Sequence, residues 1–257
     1  MNEPRSKGIY LLPNLFTTAS LFAGFAGILW AVEGRFQWAA LAILVSCVCD
    51  GLDGKVARMT RASSEFGVQF DSLADLVCFG VNPALLVYLW QTSVYGRLGM
   101  VSSFLFVACG ALRLARFNVL AARGGGQRPK KFFVGLPIPA AACVLATLVL
   151  FSASYVGTGL AQTGLPPLCL VLMYLLSLLM ISRVRYASFK DVEVAKAHPY
   201  TASVSVVLLF VLVASEPRLL AFLFFMTYLM SGLVYTFFYL PLRNRTLLRG
   251  LSRSKPS

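Results

Sequence analysis

Asp50 and Asp53 stand three residues apart and Asp71 and Asp75 four apart, in a stretch otherwise apolar enough to cross a bilayer. A carboxylate inside a membrane segment is costly, and such residues usually mark an ion, proton or substrate site. On helices, spacings of three and four place both members of a pair on one face. Two helices that each offer two stacked carboxylates form an oxygen cage for hard divalent cations. The residue types suit Mg²⁺ or Mn²⁺, two per site, and the stretch holds no histidine that would select zinc. Two such cations would balance four carboxylates, draw in a pyrophosphate and stabilise charge in an in-line phosphoryl displacement.

The neighbours fit that chemistry. Gly54 and Ala57 share a helical face with Asp50 and Asp53. Small residues there either pack helix on helix or let a flat nucleotide approach, and the carboxylates beside them favour the second reading. Lys55 and Arg58 follow near the membrane interface, placed to snorkel or to meet phosphate. Gly67, Asp71 and Asp75 recur at four-residue intervals and make the second wall of the cage. Further on, Arg113 and Arg116 lie three apart on one face. Either they snorkel to head groups, or one of them holds a carboxylate or lipid phosphate with its guanidinium fork, with Asn118 adding a polar contact. The segment Phe132 to Pro139 should interrupt regular helix, because its prolines oppose helical continuation. Lone His198 reads as a surface residue.

The elements that must position these groups are transmembrane helices. Of 257 residues, 58% are hydrophobic and 13% charged, with mean hydropathy +0.75, far more apolar than a soluble chain. Hydropathy predicts eight spans: Asn14 to Val32, Gln37 to Arg58, Gly67 to Trp90, Arg97 to Val119, Gly135 to Tyr155, Leu165 to Ile181, Tyr200 to Ser215, and Pro217 to Leu240. The expected fold is an all-α integral membrane bundle. It divides into one polytopic catalytic domain over residues 1–242 and a basic tail over 243–257.

With an N-terminus on the cytoplasmic side, twenty of the 23 lysines and arginines face the cytoplasm; the exceptions are Arg35, Arg97 and Arg218. That positive-inside bias puts both termini and the acidic motif on the cytoplasmic face. It also accounts for the net charge of +13, so nucleic-acid binding is not expected and contact with anionic membrane lipids is. The Arg123 to Lys131 segment reads as a flexible basic loop. Six cysteines in apolar spans, with no C-x2-C pair, suggest packing rather than zinc or disulfides. The first span reads as retained rather than cleaved. A transporter could also carry intramembrane carboxylates, but transporters favour midplane sites and repeats, and here the acidic face lies beside Arg58 and Arg61 with no repeat.

The whole pattern, D-x2-D-G-x2-A-R-x8-G-x3-D-x3-D, is filled by Asp50, Asp53, Gly54, Ala57, Arg58, Gly67, Asp71 and Asp75. It resembles the motif of the CDP-alcohol phosphotransferase superfamily, membrane enzymes that build phospholipid head groups. The stretches D-S-L-A-D-L-V-C-F-G-V-N-P-A, A-L-R-L-A-R-F-N and G-L-P-I-P-A-A-A, with the opening L-P-N-L-F-T, look like the bacterial phosphatidylserine synthase branch. That resemblance, from Leu12 to Ala142, implies a core of six helices and a homodimer in the inner membrane. It implies transfer of the phosphatidyl group from CDP-diacylglycerol to the hydroxyl of L-serine, with release of CMP. Carried over by position, Asp50, Asp53 and Asp71 bind metal, and Asp75 contacts the centre and acts as general base. Gly54, Ala57, Arg58 and Gly67 belong to the CDP-lipid site. Glycerol 3-phosphate or choline are the alternative acceptors. Arg113 and Arg116 disfavour the cationic choline, but they do not separate serine from glycerol 3-phosphate.

Overall fold

Helix α1 (Leu11–Val32) sorts its residues by size rather than by polarity. Leu15, Phe22, Phe25, Leu29 and Val32 form an exposed stripe, while Thr17, Ser20, Gly24, Gly27 and Ala31 form the buried one. In lipid, large apolar groups gain nothing by turning inward, whereas small residues let backbones close on each other. A β-carbon on Gly24 would lie 2.5 Å from Cys78 Sγ, and one on Gly27 would strike the Asn82 amide. Helix α2 (Phe36–Thr60) runs back along α1. Ser20 Oγ donates to the Ser46 carbonyl at 3.1 Å and Ser46 Oγ returns a bond to the Ser20 carbonyl at 3.0 Å. Buried hydroxyls thus replace the hydrophobic drive that lipid removes.

This computed structural model describes residues 11–60, 65–122, 132–155, 163–182, 184–187 and 216–236; within them the side chains of residues 11–13, 57, 58, 60, 132, 133, 185 and 187 lie outside the description. The third membrane rod, Glu65–Trp90, is continuous but not uniform. It runs as α3 (Glu65–Asp75), a π-helical turn over Leu76–Val81, and α4 (Asn82–Trp90). The Asn82 N–H reaches back to the Val77 carbonyl, a wide i→i−5 bond. Pro83 has no N–H to continue a regular ladder, and the wider turn before it accommodates that break. Such turns recur beside functional sites, and this one begins immediately after Asp75.

A short 3₁₀ turn (Thr92–Tyr95) leads into α5 (Arg97–Ala122), followed by β1 (Phe132–Val134), α6 (Ile138–Tyr155), α7 (Leu165–Ile181), β2 (Arg185–Ala187) and α8 (Pro217–Val234). The two three-residue strands pair antiparallel, with Phe133 opposite Tyr186. The interruption expected over Phe132 to Pro139 is therefore a strand and a turn at Gly135, whose φ is +80°. A β-carbon there would press on the Met180 carbonyl as well. Helix α6 is the axis of the core: every residue from Ala141 to Leu150 is buried, against α2 and α8 along its flanks.

Five of these helical segments are long and apolar enough to cross a membrane by length and composition, with α7 shorter, which makes this an all-α, multi-pass membrane protein apart from the small ribbon. The expected seventh span, Tyr200 to Ser215, the Arg123 to Lys131 loop, His198 and the tail over 243–257 lie outside the described residues. The opposite end from the aspartates carries Trp30 against Trp38, with ring centroids 5.9 Å apart, and Arg35 over Trp38 at 5.7 Å. There Arg218 bonds Ser154, and Tyr155 bonds Glu216. The six cysteines are all free, as expected.

Candidate active site

The antiparallel run of α1, α2 and α3 brings both aspartate pairs to one end of the bundle. One carboxylate oxygen each from Asp50, Asp53 and Asp71 fall within 4.8 Å of one another. Asp75 adjoins Asp50 within hydrogen-bonding distance. Asp53 is 5% exposed and accepts a 3.0 Å bond from the Thr17 hydroxyl of α1. Among the described residues no lysine or arginine forms an ion pair with any of the four; the ion pair found, Arg35 with Glu33 at 3.8 Å, lies at the other end.

Carboxylates concentrated in a low-dielectric interior repel strongly. An all-oxygen, uncompensated donor set of this compactness fits a hard divalent cation held by Asp50, Asp53 and Asp71. The fit extends to the space beside it. Nothing lies within 4 Å of where a β-carbon on Gly54 would stand, and the residue is exposed. Gly54 therefore does not serve helix packing among the described residues. Gly67 opens the same end of α3, half-buried. The side chains of Ala57 and Arg58, expected beside Gly54, lie outside the described residues.

The two arginines separate. Arg113 is half-buried, with its Nε enclosed and without a hydrogen-bond partner, and its guanidinium lies within electrostatic reach of Tyr228 and Asp75. Arg116 is exposed. Three residues on a helix turn 300°, so the second arginine is displaced by a sixth of a circle from the first, enough to leave the seam. Of the two, Arg113 is the enclosed one. Asn118 does make polar contacts, but to α3 rather than into the cage: its amide donates to Gln69 Oε1 at 3.2 Å and to Ser72 Oγ at 3.0 Å. It thereby clamps α5 to the helix that presents Asp71 and Asp75.

Thr17, Tyr186 and Tyr228 escape the sequence reading. A threonine in an apolar span carries no signal alone; the face shared with Ser20 and Gly24 was the available hint. Tyr186 and Tyr228 sit far from the aspartates in sequence; the packing of β2 against α8 brings their rings together, and Tyr228 lies within electrostatic reach of Arg113.

A sequence profile of the CDP-alcohol phosphatidyltransferase family matches residues 10–175. The CDP-diacylglycerol–serine O-phosphatidyltransferase of Helicobacter pylori (strain 26695) is 42% identical over 185 residues, which are 72% of this chain and 75% of that protein. The protein of the same name from Mycobacterium leprae is 35% identical over 237 residues, 89% of this chain and 76% of that one. An archaetidylserine synthase of Methanothermobacter thermautotrophicus is 37% identical over 152 residues, covering 58% of this chain and 62% of its own. The profile match takes in all four aspartates and more than half of the sequence, and on that ground this chain belongs to the CDP-alcohol phosphatidyltransferase family.

Proposed function

We propose that this protein is a phosphatidylserine synthase, which transfers the phosphatidyl group of CDP-diacylglycerol to the hydroxyl of L-serine and releases CMP. The observation that carries the reading is the compact triad of Asp50, Asp53 and Asp71 with Asp75 and Arg113 beside it. The serine-specific names of the H. pylori and M. leprae relatives support the acceptor.

In this reading Asp50, Asp53 and Asp71 hold Mg²⁺ or Mn²⁺, with Asp75 at the edge of the centre. The bound cations supply charge neutralisation for a pyrophosphate. Thr17 fixes the orientation of Asp53 through its hydroxyl bond. The gap at Gly54 admits the cytidine end of the lipid, with Ala57, Arg58 and Gly67 along the same end. Asp75 accepts the proton of the serine hydroxyl, because an alcohol attacks poorly until its proton has somewhere to go. The serine oxygen forms a bond to the phosphorus that bears diacylglycerol. The bond from that phosphorus to the bridging oxygen breaks, and CMP leaves with the bridging oxygen and its electron pair. Arg113, within electrostatic reach of Asp75, is the guanidinium suited in this reading to the serine carboxylate; exposed Arg116 meets head groups.

The same reading places the protein in the inner membrane as a homodimer of eight-span chains. Six spans form the catalytic core within residues 1–242, and the basic tail over 243–257 touches lipid. The charge asymmetry of the sequence supports an active site and termini on the cytoplasmic side. Purified protein with CDP-diacylglycerol should release CMP on addition of L-serine, and EDTA should abolish that release until Mg²⁺ or Mn²⁺ is restored. Full turnover in EDTA would refute the metal centre. CMP release with glycerol 3-phosphate or choline but not with serine would refute the acceptor.

A further inference from the structure

The end of the bundle away from the aspartates holds a cavity that the reaction does not use. Its volume is about 530 Å³, and Arg35, Gln37, Trp38, Trp90, Gln91 and Ala153 stand on its wall. They come from the turn between α1 and α2, the first turn of α2, the end of α4 and the end of α6. Trp38 lies twelve residues before Asp50 on α2, about 18 Å along the helix at 1.5 Å per residue, so the two sites are separate.

Helix α1 sets the depth of this cavity. Its 22 residues rise about 33 Å, against about 30 Å for the hydrocarbon core of a bilayer, so the turn that follows stands at head-group level. The tryptophans mark the same level. The chain has three, Trp30, Trp38 and Trp90, and all lie at this end, where an apolar ring with one polar edge suits the membrane–water interface.

The backbone holds Arg35 at the rim. Gly34 takes φ +76°, which lets the Arg35 N–H close on the Trp30 carbonyl at 2.8 Å and its own N–H on the Ala31 carbonyl at 3.1 Å. The Arg35 guanidinium stands 5.7 Å from the Trp38 ring centroid. Its contact with Glu33, 3.8 Å between two half-exposed side chains, is a weak one and leaves donors for another anion. The side-chain amides of Gln37 and Gln91 make no hydrogen bond among the described residues, and each carries two N–H donors. A guanidinium fork, two amides and two indole faces complement a phosphodiester joined to glycerol. Binding cavities of about 300–1,000 Å³ enclose ligands of that size, and the acyl chains then stay in the bilayer.

We propose that this cavity binds the head group of a membrane phospholipid from the leaflet opposite the aspartates, with its phosphate on Arg35, Gln37 and Gln91 and its glycerol against Trp38 and Trp90. The lipid is a ligand that ties the ends of α2, α4 and α6 together rather than a substrate, and the site is independent of the acceptor assigned above.

The test uses the full chain, delipidated in dodecyl maltoside and titrated with phosphatidylglycerol brominated on the methylenes nearest the glycerol. Bromine quenches indole at short range, and with every tryptophan at this end the protein's own fluorescence reports the cavity. Quenching should saturate at one lipid per chain. Arg35→Gln should raise Kd about tenfold. Ala153→Phe fills the cavity from an exposed position on α6 and should remove the saturable component. The lipid should also raise the Tm of wild type but not of Ala153→Phe, because a ligand stabilises only the fold that binds it. Quenching that never saturates and is equal in all three proteins would be that of the lipid annulus and would overturn the site. Saturable binding of wild-type affinity in both variants would overturn the placement. Displacement of the lipid by inorganic phosphate alone would make this a site for a free anion and overturn the lipid as its occupant.

Discussion

Replacing Asp75 by asparagine isolates the proton-accepting role from the binding of metal and lipid. Asparagine has the shape of aspartate, and its amide can donate to Asp50 across the contact that the two carboxylates now share. The three-oxygen cluster of Asp50, Asp53 and Asp71 does not include Asp75, so its ligand atoms stay within their 4.8 Å envelope. What disappears is the group able to take a proton from the attacking hydroxyl. General-base catalysis contributes about 10²–10⁴-fold, equivalent to about 3–5 kcal/mol of barrier. kcat should fall by about a hundredfold or more, while KM for CDP-diacylglycerol stays within about threefold, because an interaction used only in the transition state has been removed. Steady-state CMP release gives both constants, and Mn²⁺ binding followed by electron paramagnetic resonance reports the cluster directly. Asp53→Asn is the contrast: it strikes a proposed ligand that is 5% exposed and bonded to Thr17, so Mn²⁺ affinity and CDP-lipid binding should fall together. A kcat for Asp75→Asn within tenfold of wild type would refute the base assignment. Loss of Mn²⁺ binding in that variant would make Asp75 a principal ligand instead.

Thr17→Val keeps the volume of the side chain and removes the 3.0 Å bond to Asp53, so Mn²⁺ affinity should weaken by about ten- to a hundredfold, as measured by titration. An unchanged Kd would show that Asp53 needs no second support. Gly54→Leu enters a space that no other part of the described residues approaches within 4 Å, so Tm should hold or rise while KM for CDP-diacylglycerol climbs more than tenfold. A fall in Tm with an intact KM would make Gly54 a packing residue after all.

The acidic site was legible because intramembrane carboxylates are rare and their spacing reports a helical face without any knowledge of tertiary structure. Asp50, Asp53 and Asp71 converge as their spacing predicts. Two helix edges were legible to within a turn: α7 runs over Leu165–Ile181 as expected, and α2 extends from Phe36 to Thr60 where Gln37 to Arg58 was expected, although neither is among the five segments long and apolar enough to cross. Hydropathy averages over a window, so it senses that a segment is apolar but not how its backbone is hydrogen-bonded inside. The π turn at Leu76–Val81 was invisible for that reason, although Asn82-Pro83 sits at its end and offers a local cause. The separation of Arg113 from Arg116 was equally hidden. Spacing gives their angular offset on α5, but only the packing around that helix decides which of the two is enclosed.

Small residues explain how one end of a lipid-soluble bundle can hold four carboxylates. Gly24 and Gly27 let α1 close on the rod that carries Asp71 and Asp75, at Cys78 and Asn82, and the reciprocal Ser20 and Ser46 bonds lock α1 to α2. With α1 so placed, Thr17 lies opposite Asp53 on the same buried face, one turn before Ser20. The π turn then falls between the site and the glycine contacts, so the wider backbone begins where Asp75 ends and regular helix resumes at Asn82. On the far side Asn118 fixes α5 to α3 through Gln69 and Ser72, which sets Arg113 at the level of Asp75 one and a half turns earlier on α5. The four carboxylates and Arg113 are charged, but their relative positions are set by glycine, serine, threonine and asparagine on four helices, α1, α2, α3 and α5. In a bilayer, where burying leucine does not drive helices together, these are the residue types that can do so.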